Sequence, residues 1–127
     1  MKLHRDNTDG HYAFSGYGDD YVAINGNRLQ GNLVVLPRRL IRDWTQATFE
    51  TLSQADFDAL AELGVEIMIL GTGARQRFPH PQLLQGLMRA GIGLEVMNTQ
   101  AACRTYNILA AEGRSVGCAL LQDSVTP

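Results

Sequence analysis

The chain has 127 residues, of which 45% are hydrophobic and 19% are charged, and its formal net charge is −2. This composition is typical of a soluble globular protein, and the length is that of a single domain. The small negative charge gives no general attraction to nucleic acid or to an anionic membrane, so we expect no nucleic-acid partner. No apolar run approaches the roughly 20 residues of a spanning helix, so we expect no membrane insertion.

The N-terminus and the cysteines indicate a location. The first ten residues become polar after one leucine and lack the apolar core of a secretory signal. Cys103 and Cys118 show neither metal-ligand spacing nor a disulfide framework, which is typical of a reducing compartment. The histidines and acidic residues show no metal-binding spacing either. We therefore expect a cytoplasmic protein with no metal and no cofactor.

Short strands are predicted between residues 11 and 44. Asn25 and Gly26 form a strong hairpin signal, because both residues tolerate the positive φ of a type I′ turn. These strands predict an antiparallel N-terminal β-layer, although the apolar segment 31–37 could instead belong to the central sheet. An exposed edge of such a layer could pair with a second copy, so a homo-oligomer is one expectation.

From residue 51 the pattern changes to alternating helices and strands. Ser53 and Asp56 form a capping box for a first helix, which Gly64 ends. A second helix begins at Pro81 and is expected to bury Leu83, Leu84, Leu87 and Met88.

Apolar strands are predicted over 65–70 and 92–97, a third helix over 99–113, and a last apolar strand over 115–121. The predicted fold is α/β, with three layers in one domain over 1–127 whose core runs from about 12 to 121.

The strands over 65–70 and 92–97 are expected to end at one edge of the sheet, where ligands of open α/β sheets bind. Amides at the start of the third helix carry partial positive charge, so a carboxylate or phosphate would suit this cleft, with support from Arg75 and Arg77. The candidate ligand-binding residues are Gly71, Thr72, Gly73, Asn98, Thr99, Cys103, Arg104 and Asn107.

A dinucleotide site is disfavoured at this loop. Gly71 and Gly73 match the first part of the Rossmann fingerprint, but Gln76 stands where the third glycine belongs. A structural turn or a pocket for another ligand fits the loop better.

Cys103 next to Arg104 allows two interpretations. A thiol beside a guanidinium at the start of a helix ionises more readily and could be reactive. Catalysis would also need a base, and His80 is the histidine that could reach this edge. Cysteine is often buried, however, so a small core residue is the favoured interpretation for Cys103, and Cys118 is expected in the core.

Arg104 and Asn107 lie three residues apart and therefore on one helix face, while Tyr106 points elsewhere. A ligand-binding face and a structural role, in which Arg104 bonds strand carbonyls and Asn107 fixes a loop, are equally compatible with this spacing. The cluster Arg38, Arg39 and Arg42 is interpreted as a solvated face, because no aromatic residues alternate with it.

Several of these segments together resemble the Mth938-domain family. They are ILGTG over 69–73, AGIGLEVMNT over 90–99, ACRTYN over 102–107 and EGR over 112–114, and the likeness runs from about 12 to 121. The resemblance implies a three-layer α/β domain with a mixed central sheet and a smaller β-layer. It also implies an accessory role by protein binding, linked to assembly of respiratory complex I (NADH dehydrogenase). It supplies no catalytic residue, so an uncharacterised enzyme or a small-molecule-binding domain remains the alternative.

Overall fold

The computed structural model describes residues 10–122. Its strands are β1 Phe14–Tyr17, β2 Val22–Ile24, β3 Asn27–Leu29, β4 Leu33–Leu36, β5 Arg39–Arg42, β6 Ile67–Gly71, β7 Gly93–Met97 and β8 Val116–Leu120. Its α-helices are α1 Gln54–Ala61, α2 Gln85–Arg89 and α3 Thr99–Ala111. Short 3-10 helices occur at Phe49–Thr51 and Pro81–Leu84.

The small sheet is antiparallel, with strand order β1-β2-β3. Its β2–β3 hairpin turns at Asn25 and Gly26, whose φ angles are 51° and 88°. This confirms the hairpin predicted from these two residues, because a type I′ turn needs positive φ at both positions. The N-terminal β-layer of the predicted fold is this sheet.

The central sheet is mixed, with strand order β5-β4-β8-β6-β7. Strand β6 runs parallel to β7 and β8, whereas β4 runs antiparallel to β5 and β8. The expectation that all the N-terminal strands form one antiparallel layer was therefore wrong for β4 and β5. The alternative for segment 31–37 was correct, because every residue of β4 is buried, as in a strand covered on both faces.

Both faces of the central sheet are covered, which gives the three layers. Met68 and Leu70 point to the core shared with α1 and α2. Ile69 points to the core shared with α3 and the small sheet. This alternation follows from the two-residue period of a strand and explains why β6 is apolar throughout.

The first helix has the predicted start and end. The Ser53 Oγ accepts a hydrogen bond from the Asp56 amide at 3.4 Å, and the Ser53 amide donates to Asp56 Oδ2 at 2.9 Å. Gly64, with a φ of 73°, follows the helix in the left-handed conformation.

The second helix differs from the expectation. Its first part is the 3-10 helix Pro81–Leu84, and only Gln85–Arg89 is α-helical. The prediction that Met88 is buried was wrong, since this side chain is 72% exposed while Leu87 is 1% exposed. A short helix has room for only a narrow apolar stripe, and Leu87 occupies it.

Candidate functional site

The carboxyl end of β6 is joined to the start of α3 by reciprocal hydrogen bonds. The Thr99 amide donates to the Gly73 carbonyl at 2.8 Å. The Gly73 amide donates to Thr99 Oγ1 at 3.1 Å. Asn98 is the N-cap of α3, and its Oδ1 accepts from the Ala101 amide at 2.9 Å. These residues therefore meet as predicted, and their polar groups are used to hold the loop to the helix.

Gly71 lies where α3 crosses β6. A Cβ atom on this residue would lie 2.6 Å from Leu120 Cδ2 and 3.1 Å from Ala102 Cβ. The missing side chain lets the helix approach the strand. Gly71 therefore acts in packing and does not face the cleft.

Thr72 is fully buried and organises the loop after β6. Its hydroxyl lies 2.5 Å from the Arg75 carbonyl oxygen and accepts a hydrogen bond from the Arg77 amide at 3.1 Å. Its own amide donates to the Met97 carbonyl at 2.9 Å, which ties the loop to β7. The side chain of Thr72 is thus satisfied within the protein.

Arg77 is engaged away from the cleft. Its Nη2 donates to the Thr72 carbonyl at 2.9 Å, and its Nη1 lies 3.2 Å from Glu50 Oε2. The guanidinium also stacks 4.5 Å from the centroid of the Phe49 ring. These contacts fix the loop to the 3-10 helix before α1, so Arg77 is held in a structural position.

His80 has a local role. Its Nδ1 accepts a hydrogen bond from the Gln82 amide at 3.1 Å, so the imidazole caps the 3-10 helix that starts at Pro81.

A cavity of about 280 Å³ lies at the predicted edge of the sheet. Three of the predicted residues line it: Gly73, Asn98 and Thr99. The cleft was expected between the ends of β6 and β7. The cavity lies at the carboxyl ends of β6 and β8, and Asn98, which follows β7, also lines it. Its remaining lining residues are Tyr17, Gly18, Asp19, Ala74, Gln100, Leu121 and Gln122.

Sequence reasoning missed the residues that the small sheet contributes. The β1–β2 turn brings Tyr17, Gly18 and Asp19 to the cavity. The position of one sheet over another depends on contacts between distant residues. No local signal could have placed this turn at the cleft.

The charge of the lining bears on the ligand. Asp19 contributes a carboxylate, and no lining residue carries a cationic side chain. The Thr99 and Ala101 amides, at the start of α3, already have acceptors in Gly73 and Asn98. The helix dipole still favours an anion, but the lining supplies fewer free donors than the sequence suggested.

Cys103 lies in the core, with 2% of its surface exposed. Burial raises the pKa of its thiol from 9.0 to about 12, and the neighbouring Arg104 charge offsets only part of this effect. Desolvation therefore outweighs the guanidinium that suggested a reactive thiol. Burial also raises the pKa of Cys118, which is in the same core cluster.

Tyr106 and Asn107 join α3 to the small sheet. Asn107 Oδ1 accepts from the Phe14 amide at 2.9 Å, and Asn107 Nδ2 donates to the Phe14 carbonyl at 2.8 Å. The buried Tyr106 donates its hydroxyl to the Tyr12 carbonyl at 3.0 Å and packs its ring edge-to-face with Phe14 at 5.5 Å. The Asn107 amide thus pairs with β1 as a neighbouring strand would.

Arg104 is exposed on α3 and is not part of the cavity lining. The eight predicted residues therefore divide into three sets. Gly73, Asn98 and Thr99 line the cavity, Gly71, Thr72 and Cys103 are buried, and Arg104 and Asn107 lie further along α3.

The family model described as "Protein of unknown function (DUF498/DUF598)" matches residues 14–121. The chain belongs to this family. The DUF498/DUF598 match covers both sheets and all the helices between them. The region shared with the family therefore includes every element that positions the cavity.

Relatives and solved structures agree with this assignment. The mouse protein named NADH dehydrogenase [ubiquinone] 1 alpha subcomplex assembly factor 3 is 36% identical over 107 residues, covering 83% of this chain and 57% of the relative. A Bordetella parapertussis crystal structure has a TM-score of 0.83 at 36% identity, covering 90% of this chain and 98% of that one. A Bordetella pertussis protein described as a Mth938-like domain has a TM-score of 0.80 at 31% identity, covering 97% and 93%. The resemblance to the Mth938-domain family is confirmed.

The chain spans about 57% of the length of the mouse assembly factor. Within residues 10–122, no helix is both long and apolar enough to cross a membrane. The same residues contain no group of three or more histidine, cysteine or acidic side chains placed to hold a metal ion.

Proposed function

We propose that this chain is an accessory protein that acts by binding a partner protein during assembly of respiratory complex I. The observation that carries the proposal is the 36% identity to a relative named as an assembly factor of NADH dehydrogenase. The identity extends over 83% of the chain, so it involves the folded region and not a short motif.

The geometry at the β6 edge supports binding over catalysis. The polar groups of the loop after β6 and of the start of α3 make hydrogen bonds within the protein. The residues concerned are Thr72, Gly73, Asn98 and Thr99. Cys103, the nucleophile that the sequence offered, is buried and has a raised pKa. A catalytic site needs a nucleophile or base that can reach a substrate, and these groups are directed into the fold.

We place the protein in the cytoplasm as part of this proposal. Cys103 and Cys118 are free thiols in the core, and such cysteines persist in a reducing compartment. Fractionation of the native cells tests the location, and recovery with an extracellular fraction would contradict it.

The function is tested by capture from native cells. We expect the tagged chain to retain subunits of complex I or other factors that assemble it, identified by mass spectrometry. Ser53→Ala, which removes a helix cap at the start of α1, is the control for mild destabilisation and should still retain these proteins. If the captured proteins include no respiratory subunits and no assembly factors, the complex I context is refuted.

The cavity of about 280 Å³ supports a second candidate, a small polar ligand bound at the edge of the sheet. An anion is the ligand expected from the sequence, and the Asp19 carboxylate in the lining opposes it. Thermal shift with phosphate, carboxylates, nucleotides and neutral amides separates these ligands, because binding to the folded state raises the melting temperature.

The exposed Gln100 provides the matched test of this cavity. Gln100→Glu keeps the size of the side chain and suits the start of a helix, but it adds negative charge to the lining. We expect this variant to abolish a shift caused by an anion. Arg104→Ala, outside the lining, should retain the shift. No shift with any compound would refute the ligand.

A further inference from the structure

The outer edge of the central sheet carries a groove of about 320 Å³ between β5 and α1. Strand β5 is the last strand on this side, and β4 is its one strand neighbour within residues 10–122. The residues that line the groove are Val34, Arg39, Ile41, Trp44, Ala59, Leu60, Glu62 and Leu63.

The groove has an apolar floor and fixed walls. Ile41 lies opposite the fully buried Val34 in the β4–β5 register, so the two side chains share one face of the sheet. Trp44 Nε1 donates to the Leu120 carbonyl at 3.1 Å, which holds the indole in place as one wall. Leu60 of α1 belongs to the same core cluster as Val34. The site is therefore formed before any partner binds, which lowers the entropic cost of binding.

Three arginines surround this edge. Arg38, Arg39 and Arg42 are all exposed, and none of them has an ion-pair partner in the part of the chain that the structure describes. Arg39 also lines the groove, two residues from Ile41 and on the same face. Glu62 is the one acidic residue in the lining. Asp43 is also exposed beside Arg42, so the three arginines stand against two carboxylates, Glu62 and Asp43, and leave an excess of one positive charge. The surface thus combines apolar side chains with a small local positive charge on a chain whose net charge is −2.

We propose that this groove binds an extended segment of a partner protein that is both apolar and acidic, by strand addition to β5. The inference rests on the proposed protein-binding function and specifies the surface and the partner. An edge strand offers backbone donors and acceptors to an incoming strand. Alternate side chains of that strand enter the groove, and acidic residues between or beside them pair with the arginines.

A second copy of this chain fits the edge less well. In an antiparallel pair of two β5 strands centred on the strand, Arg39 of one copy would lie opposite Arg42 of the other. Like charges facing each other across paired strands are destabilising. The arginines therefore select against self-pairing and in favour of an acidic partner.

Trp44 makes the proposal directly measurable, because it is the single tryptophan of the chain and lines the groove. The probe is an acetylated nine-residue peptide of alternating valine and glutamate. The matched peptide has lysine in place of glutamate, and a third has N-methyl groups along both backbone edges, so that neither edge can donate to β5. We expect the glutamate peptide alone to change Trp44 fluorescence in a saturable way.

Charge reversal tests the arginines. In the double variant Arg39→Glu and Arg42→Glu, the affinity for the glutamate peptide should fall at least about tenfold. This variant should bind the lysine peptide instead. The control is Arg114→Glu, an exposed arginine after α3, which should change the affinity less than about twofold.

Equal binding of both peptides, or of neither, would overturn the proposal. Undiminished binding of the N-methyl peptide would overturn strand addition, and a Trp44 signal that follows protein concentration alone would indicate a second copy.

The same double variant separates this surface from the proposed function. If the wild type captures complex I components and the variant captures them equally, the groove is wrong while the function stands. If the wild type captures none and the glutamate peptide still binds, the complex I context fails while the groove stands.

Discussion

Replacing Asn107 tests whether α3 holds the small sheet. Its amide makes two hydrogen bonds with Phe14, a residue that is 7% exposed. Asn107→Ala removes both bonds and leaves a partly buried donor and acceptor without partners, which costs about 2–3 kcal/mol. Urea unfolding at pH 7, followed by Trp44 fluorescence and by far-UV circular dichroism, measures this loss as a lower free energy of unfolding.

Asn107→Asp tests the two hydrogen bonds separately, because aspartate can replace the acceptor of Asn107 but not its donor. The carboxylate can still accept from the Phe14 amide, but its second oxygen faces the Phe14 carbonyl and repels it. Protonation restores a donor, so the pKa of this carboxyl is raised above the unfolded value of about 3.9. A raised pKa means that the stability is present at low pH and is lost as the pH rises through the folded pKa.

We therefore expect Asn107→Asp to gain about 1 kcal/mol or more relative to Asn107→Ala between pH 7 and pH 4. The alanine variant controls for the other groups that titrate in this range. An aspartate variant that follows the alanine variant at every pH, or an alanine variant within about 0.5 kcal/mol of the wild type, would refute the pairing of Asn107 with β1.

Three further substitutions test the packing, the thiol and the first helix. Gly71→Ala should destabilise the protein by about 1–3 kcal/mol in urea unfolding, because the new methyl group would meet Leu120 and Ala102; an unchanged midpoint would contradict this close packing. Between pH 8 and pH 10 the wild type should lose about 1 kcal/mol more stability than Cys103→Ala, because the thiol ionises only when the chain unfolds; parallel pH profiles would show that burial does not raise its pKa. Ser53→Ala should lower the melting temperature and cost about 1 kcal/mol, since it removes a helix cap, and no change would exclude a contribution from the cap.

Local signals predicted the elements of this fold well, since each depends on neighbouring residues. The Ser53 cap, the Gly64 stop and the turn at Asn25 and Gly26 are all present in the structure. Each depends on a backbone conformation or hydrogen bond within a few residues, so the residue types at those positions predict it. The exposure of Met88 could not be predicted in the same way, because it depends on how far a short helix extends over its neighbour.

Membership of a sheet was harder to predict than the strands themselves. Segment 31–37 follows the hairpin strands in sequence and joins the central sheet in space, where β4 pairs with β5 and β8. Its continuous apolar pattern was the signal, since a strand exposed on one face would alternate. The sequence placed a cleft at the ends of the parallel strands, and a cavity lies at that edge, but its side formed by Tyr17 and Asp19 depends on how the two sheets pack together.

The polar run on α3 is explained by the two sheets that this helix connects. The start of α3 is hydrogen-bonded to the loop after β6 through Thr99, and Asn98 caps the helix. The middle of α3 is hydrogen-bonded to the small sheet and the residues before it through Tyr106 and Asn107. A helix between two sheets must satisfy backbone groups at both contacts, and hydrogen-bonding side chains do so where leucine would not. The cavity is lined by residues of the first of these contacts and by the β1–β2 turn of the small sheet, so its shape also depends on how Tyr106 and Asn107 hold that sheet. A change at Asn107 should consequently alter the cavity as well as the stability.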